Sequence, residues 1–295
     1  MQLKDQASLF FRQLQDTITA SLQVANGGAS FHEDSWDRPG GGGGRTRILT
    51  DGNIFEKAGV NFSEVHGDAP ESLVSAGLAH VTFFATGTSL VLHPRSPMVP
   101  TIHANFRYFE LSTGDAWFGG GIDLTPYYLV DDDCKHFHQT IRAACDIHDT
   151  SYYPRFKKWC DEYFFLKHRN ETRGIGGVFF DHLRGTSAEL ENIFAFVKDV
   201  ANSFLPAYLP IVERHQNETY SEAQRQWQLL RHGRYVEFNL VYDKGTLFGL
   251  QTNGRIESIL MSLPSFARWD YDYHPPIGSE EEKLIRVLQQ PREWV

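Results

Sequence analysis

From Thr101 to Glu110 the sequence reads T-I-H-A-N-F-R-Y-F-E. Successive side chains of a strand point to opposite faces. Ile102, Ala104, Phe106 and Tyr108 therefore share one face, and His103, Asn105 and Arg107 share the other. The first set is a core face. The second offers an imidazole for proton transfer, an amide for hydrogen bonding and a guanidinium whose fork matches a carboxylate. A second cluster follows in Phe118-Gly119-Gly120-Gly121-Ile122-Asp123. Three glycines weaken a strand and call for a bulge or the close approach of another body. A broad flat ligand lying on the sheet is one such body, and Asp123 would reach its centre. The alternative is a bulge with Asp123 capping the turn at Thr125-Pro126, and spacing weighs the two equally.

Most of the 13 histidines read as hydrogen-bonded structural residues. His136 and His138 stand two apart, so on a helix they diverge by about 200° and cannot share an ion. A metal site would have to gather His93, His103, His138 and His168 from separate elements, and no recognised zinc spacing marks them. Arg45, Arg47 and Arg255 join Arg107 as candidates for carboxylate binding. Against this stands the solvated arginine or surface ion pair, worth roughly 0–1 kcal/mol. For Arg45 and Arg47 the two readings balance; for Arg107, beside His103 and Asn105, ligand binding is favoured. No G-x-S-x-G elbow, P-loop or dinucleotide fingerprint is present, which argues against serine hydrolases, NTPases and Rossmann dehydrogenases.

The elements that must position these groups follow from periodicity. Leu3, Ala7, Phe10, Phe11, Leu14, Ile18 and Leu22 predict an amphipathic helix over about 3–25, ended by Asn26-Gly27-Gly28. A strand over 31–38 runs into glycines 40–44, read as a hairpin loop, with a mobile lid as the weaker alternative. Strands are expected at 45–49, 81–93, 101–111, 115–124 and 176–180, and helices at 131–146, 152–169 and 187–215. A shorter helix precedes Gly233. Segments 235–242 and 246–252 flank Asp243-Lys244-Gly245, a hairpin signal. A last helix follows Ser279. The pattern predicts an α+β fold, a large and mostly antiparallel β-sheet covered on both faces by α-helices, in a single domain over 1–295.

Composition sets the boundaries. With 295 residues, 41% of them hydrophobic and 14% aromatic, the chain can bury a large core. The net charge of -9 disfavours nucleic acid and anionic membranes, so an anionic ligand must be met by local arginines. Three cysteines without a C-x-x-C pair suit a reducing compartment. No signal-peptide core and no apolar run of about 18 residues is seen, so the expectation is a soluble, cytoplasmic protein without a membrane span.

These residues lie within long runs: HPRSPMVPTIHANFRYFE, WFGGGIDLTPYY, YPRFKKWCDEYFFLKHRNETRGIGGVFFDHL, AYLPIVERH and GRYVEFNLVYDKGTLFGLQTNGRIESILMSLP. Over nearly its whole length the sequence resembles the oxygen-dependent coproporphyrinogen-III oxidase family of haem biosynthesis. The resemblance implies oxidative decarboxylation of two propionates of coproporphyrinogen III to vinyls, with O2 as oxidant. Protoporphyrinogen IX, CO2 and H2O2 are the implied products, and no organic cofactor is needed. It further implies a flat antiparallel sheet between helical layers and a homodimer formed through about 235–270. It carries substrate contacts onto Ser89, Asn105, Phe106, Arg107, Asn253, Gly254 and Arg255, the general-acid role onto His103, and a pyrrole N–H partner onto Asp123. A divalent metal would fall on His93, His103, His138 and His168. Ser96 and His182 depart from the family's usual Asn and Asp at those positions. Two rivals from other classes are a non-catalytic tetrapyrrole carrier, which would not require His103 and Asp123, and a histidine-ligated zinc hydrolase, which would consume no oxygen.

Overall fold

The computed structural model describes residues 1–69, 80–251 and 254–295. Helix α1 (Leu3–Ala25) opens the chain and buries Ala7, Phe11, Leu14, Ile18 and Leu22, the stripe set by its sequence spacing. Six strands follow: β1 (His32–Asp37), β2 (Gly42–Thr50), β3 (Phe55–Asp68), β4 (Thr82–Pro94), β5 (Thr101–Leu111) and β6 (Ala116–Thr125). Helices α2 (Asp131–Asp146) and α3 (Tyr152–Tyr163) come next, then the two-residue strands β7 (Phe165–Leu166) and β8 (Glu171–Thr172), and β9 (Gly177–Leu183). The chain finishes through α4 (Ser187–Asn202), α5 (Phe204–His215), α6 (Glu222–Val241), α7 (Lys244–Gln251), α8 (Ile256–Leu260) and α9 (Glu280–Gln289).

One seven-stranded sheet runs β1-β2-β3-β4-β5-β6-β9, antiparallel at every pairing. Ile102, Ala104, Phe106 and Tyr108 face the main core and are at most 2% exposed. On that side α1 lies close enough for Thr88 Oγ1 to donate to Phe11 O at 2.7 Å, and Phe118 stacks on Phe194 of α4. On the opposite side Tyr235 of α6 packs edge-on against His93, and Ser258 of α8 bonds Thr46 and Asn61 of β2 and β3. Helices thus cover both faces of an antiparallel sheet, as the pattern predicts.

The expected hairpin is not formed over the described residues 235–251, and Thr252 lies outside them. Residues 235–241 continue α6, which starts from a capping box between Ser221 and Gln224, and 244–251 form α7. Val236, Phe238 and Leu240 would share a face in a strand, yet Phe238 is fully buried and Leu240 is 42% exposed. The controlling period is helical: Arg231, Tyr235 and Asn239 recur every four residues and are all buried. Asp243 makes no strand turn; its carboxylate accepts from Thr246 N and Oγ1 at the start of α7. Gly233 sits inside α6 because a Cβ there would stand 2.6 Å from Arg268 O.

Smaller corrections have equally local causes. Glycines 42–44 belong to β2, paired with β3, so the expected glycine loop shrinks to a tight turn. The predicted helix over 187–215 breaks at Ser203, with Pro206 in the first turn of α5, where its missing N–H costs nothing. Helix α3 ends at Tyr163. Strand β3 escapes sequence reading because Gly59, Asn61 and Ser63 dilute its apolar partners Ala58, Val60 and Phe62.

Candidate active site

Register decides which groups meet. Ser89 pairs with Asn105, His103 with Asp123, and Arg107 with Gly119. By parity Ser89, His103, Asn105, Arg107 and Asp123 all project from the face opposite the main core. Arg107 and Asp123 lie four residues apart along this face, about 13 Å at ~3.3 Å per residue.

At one end His103 Nδ1 lies 2.8 Å from Asp123 Oδ1. Arg173 Nη2 donates to both oxygens of the same carboxylate, at 3.0 and 2.9 Å. Burial by itself would raise the Asp123 pKa; the Arg173 guanidinium and the His103 hydrogen bond hold it below the usual carboxylate range. An ionised Asp123 accepts the proton on Nδ1, which leaves the opposite nitrogen, Nε2, for contact with a ligand. The His103 side chain is 20% exposed whereas that of Asp123 is 2% exposed, so the imidazole, not the carboxylate, meets the open face. Arg173 is itself caged by the rings of Phe164, Tyr235 and Phe238 at 4.1, 4.5 and 4.9 Å. Sequence reading missed Arg173. Its one available signal was indirect: a buried carboxylate needs a counter-charge.

At the other end Arg107 Nη1 donates to Asn105 Oδ1 at 2.7 Å, and Nη2 faces Asp181 Oδ1 at 3.0 Å. Ser89, Asn105 and Arg107 line a depression of about 220 Å³ together with Asn61, Ser63 and Gly87. The Phe106 ring is fully buried on the core side, so only its peptide unit borders the depression. Arg255 pairs with Asp34 of β1 and lies 5.8 Å from the Trp36 ring. Gly254 donates its N–H to Gly249 O at 2.8 Å. Asn253 lies outside the described residues. Arg45 and Arg47 project from the core side toward α1, paired with Asp16 and Glu33, which resolves their balance toward structure.

The glycine run is filled by the protein's own groups. Beside Gly119 lie Asp181 and Arg107, beside Gly120 the Phe106 and Phe180 rings, and beside Gly121 the Val178 carbonyl and Phe179. Of the two family departures, Ser96 Oγ accepts from Met98 N, and His182 stacks on Trp117 with centroids 5.0 Å apart.

The four histidines implied as metal ligands do not converge. His93 Nε2 donates to Ser262 O at 2.8 Å, and its Nδ1 lies 3.3 Å from Thr101 Oγ1. His138 is buried in α2, donating from Nε2 to Ile175 O and accepting the Tyr153 hydroxyl at Nδ1. His168 is bound to Tyr242 and Glu237, each at 2.7 Å. Among the described residues no group of three or more His, Cys, Asp or Glu could hold a metal ion. Among the described residues, these histidines are thus each engaged with the protein's own groups.

A carboxylate-held histidine and a partly exposed guanidinium, itself paired with Asp181, thus share one sheet face. Residues 6–294 match the family described as Coproporphyrinogen III oxidase. The chain is 52% identical to the oxygen-dependent coproporphyrinogen-III oxidase of Drosophila melanogaster, over 99% of this chain and 78% of that protein. It is 52% identical to the chloroplastic oxygen-dependent enzyme of Glycine max and 51% identical to chloroplastic coproporphyrinogen-III oxidase 1 of Arabidopsis thaliana. Each of these matches covers 96% of this chain and 77% of the relative. The chain belongs to the coproporphyrinogen III oxidase family. No helix among its described residues is long and apolar enough to cross a membrane.

Proposed function

We propose that this chain catalyses the oxygen-dependent oxidation of coproporphyrinogen III in haem biosynthesis, converting two propionates to vinyls. The observation that carries this reading is the His103–Asp123–Arg173 constellation on the same face as Arg107, in a chain half identical to named oxygen-dependent oxidases. Each propionate step balances as propionate plus O2 plus one proton giving vinyl, CO2 and H2O2. Dioxygen takes the two electrons released as the carboxylate leaves and a hydrogen departs from the adjoining carbon. Two such steps give protoporphyrinogen IX, and no flavin, haem or nicotinamide is required.

The residues divide the work by position. Arg107, steadied by Asn105, takes a propionate through charge-assisted hydrogen bonds, each contributing about 1.5–3 kcal/mol. Ser89 and Arg255 on the same face serve the other polar arms, a role to which Asn253 and Gly254 are assigned with them. His103 Nε2 exchanges the proton with a pyrrole N–H. Asp123, its oxygens already bonded to His103 and Arg173, acts through His103 by orienting the ring and stabilising its charged form. This makes Asp123 a positioning residue, in place of a direct partner of the pyrrole nitrogens. No step is routed through a metal.

Three further parts belong to the same reading. Residues 1–295 are one domain, supported by a sheet running unbroken from β1 to β9. The chain forms a homodimer through about 235–270, supported by the exposure of Leu240, Phe248, Leu250, Ile256, Phe266 and Trp269. A cytoplasmic setting suits three free, buried thiols. The deciding assay is oxygen uptake and peroxide release on anaerobically prepared coproporphyrinogen III, with two of each expected per macrocycle. Binding of the macrocycle without oxygen uptake would instead identify a carrier.

A further inference from the structure

Arg107 is held by the protein's own carboxylate. Its Nη2 meets Asp181 Oδ1 of β9 at 3.0 Å across the intervening strand β6, and His182 N donates to the same oxygen at 2.8 Å. Gly119 is the residue crossed. A Cβ there would lie 2.5 Å from Asp181 Oδ1 and 2.8 Å from both Nε and Nη2 of Arg107. Bare backbone at 119 is thus the seat on which guanidinium and carboxylate come together. Both groups are partly exposed, at 36% and 24% of their side chains, and pairs of that kind contribute little. A substrate carboxylate that presents two oxygens to the fork makes a stronger contact than this single-oxygen pair. Arg255 repeats the arrangement with Asp34. Both guanidinium groups assigned to substrate arms therefore already hold an aspartate.

We propose that Asp181 is a stand-in for a substrate carboxylate: it holds Arg107 over Gly119 until a propionate takes its place. The inference rests on the assignment of Arg107 to substrate binding made above. Asp181 then sets affinity through Arg107. While its charge remains, an incoming anion must outcompete it, which selects against weakly or singly charged ligands.

The test uses Asp181→Asn, which retains the acceptor for His182 N and removes the charge, with Asp181→Ser as a second variant. Binding of coproporphyrin III is followed by its fluorescence, and KM and kcat are measured on coproporphyrinogen III. Both variants are expected to bind roughly three- to tenfold tighter at low salt, with the change falling on KM and not on kcat. In an Arg107→Gln background the gain is expected to vanish. Weaker binding in the variants would show that Asp181 merely props Arg107 in place, and unchanged binding would show no competition. A gain that persists without Arg107 would show a general charge effect. Each of these outcomes overturns the proposal. If the unmodified protein fails to bind coproporphyrin III, the substrate assignment itself falls, and this inference with it.

Discussion

Arg173 Nη2 spans both oxygens of Asp123 at 2.9 and 3.0 Å, while His103 Nδ1 takes one of those oxygens from the other side at 2.8 Å. The carboxylate is thereby kept ionised in a place where burial alone would favour its neutral form. Removing Arg173 strands that charge. We expect Arg173→Gln to destabilise the protein by about 3–5 kcal/mol, the cost of breaking a buried pair. Urea unfolding checks it; a loss under 1 kcal/mol would mean Asp123 does not depend on its partner.

His103 and Asp123 form one acid–base unit, so their losses should not add. His103→Gln is expected to lower kcat by about 10²–10⁴, and Asp123→Asn by most of the same factor, with coproporphyrin affinity kept in both. The double variant should be little worse than His103→Gln. Near-normal turnover of Asp123→Asn would refute its role.

His138 gives a clean separation of core from metal duty. Its two nitrogens serve Ile175 O and the Tyr153 hydroxyl, and burial drives its pKa down to about 3. His138→Gln should cost about 1–3 kcal/mol of stability with kcat retained. Metal content by elemental analysis should match that of the unaltered protein. A metal lost together with activity would restore the ligand role.

Acid should unfold the protein through its buried imidazoles. Burial holds His232 down at about 4, against about 6.5 when the chain is unfolded. A base whose folded pKa is depressed contributes stability that is full above pH 6.5 and is lost as pH falls toward 4. For His232 the loss reaches about 3 kcal/mol. Urea midpoints should fall between pH 7 and pH 5, and His232→Gln should flatten that slope.

The surface of segment 235–270 yields a prediction about assembly. Leu240 is 42% exposed on α6, whereas Phe238 packs in this chain against Phe164. Leu240→Arg should halve the mass seen by light scattering without reducing thermal stability of the subunit. An unchanged mass would remove this segment from the interface.

The core strands were legible because strict alternation in β5 forces His103, Asn105 and Arg107 onto one side whatever lies beyond. The sheet order and the partner of Asp123 were not. Asp123 and Arg173 stand 50 residues apart and join only when the loop leading into β9 folds back onto α6. The C-terminal hairpin was misread because 235–242 alternates in apolar character while its burial follows a four-residue helical step. The glycines of β6 were read as a bulge or a close approach with equal weight; the β6–β9 register shifts between Phe118 and Gly120, and what approaches is Arg107 with Asp181 and the rings of Phe106, Phe179 and Phe180.

Gly233 reaches further than its size suggests. The chain pressed against it at Arg268 continues from the stretch whose Ser262 and Phe266 carbonyls accept from His93 and His232. A methyl group at 233 would wedge that strap away from α6, so a mutation far from any reacting atom would leave two imidazoles choosing their tautomers afresh.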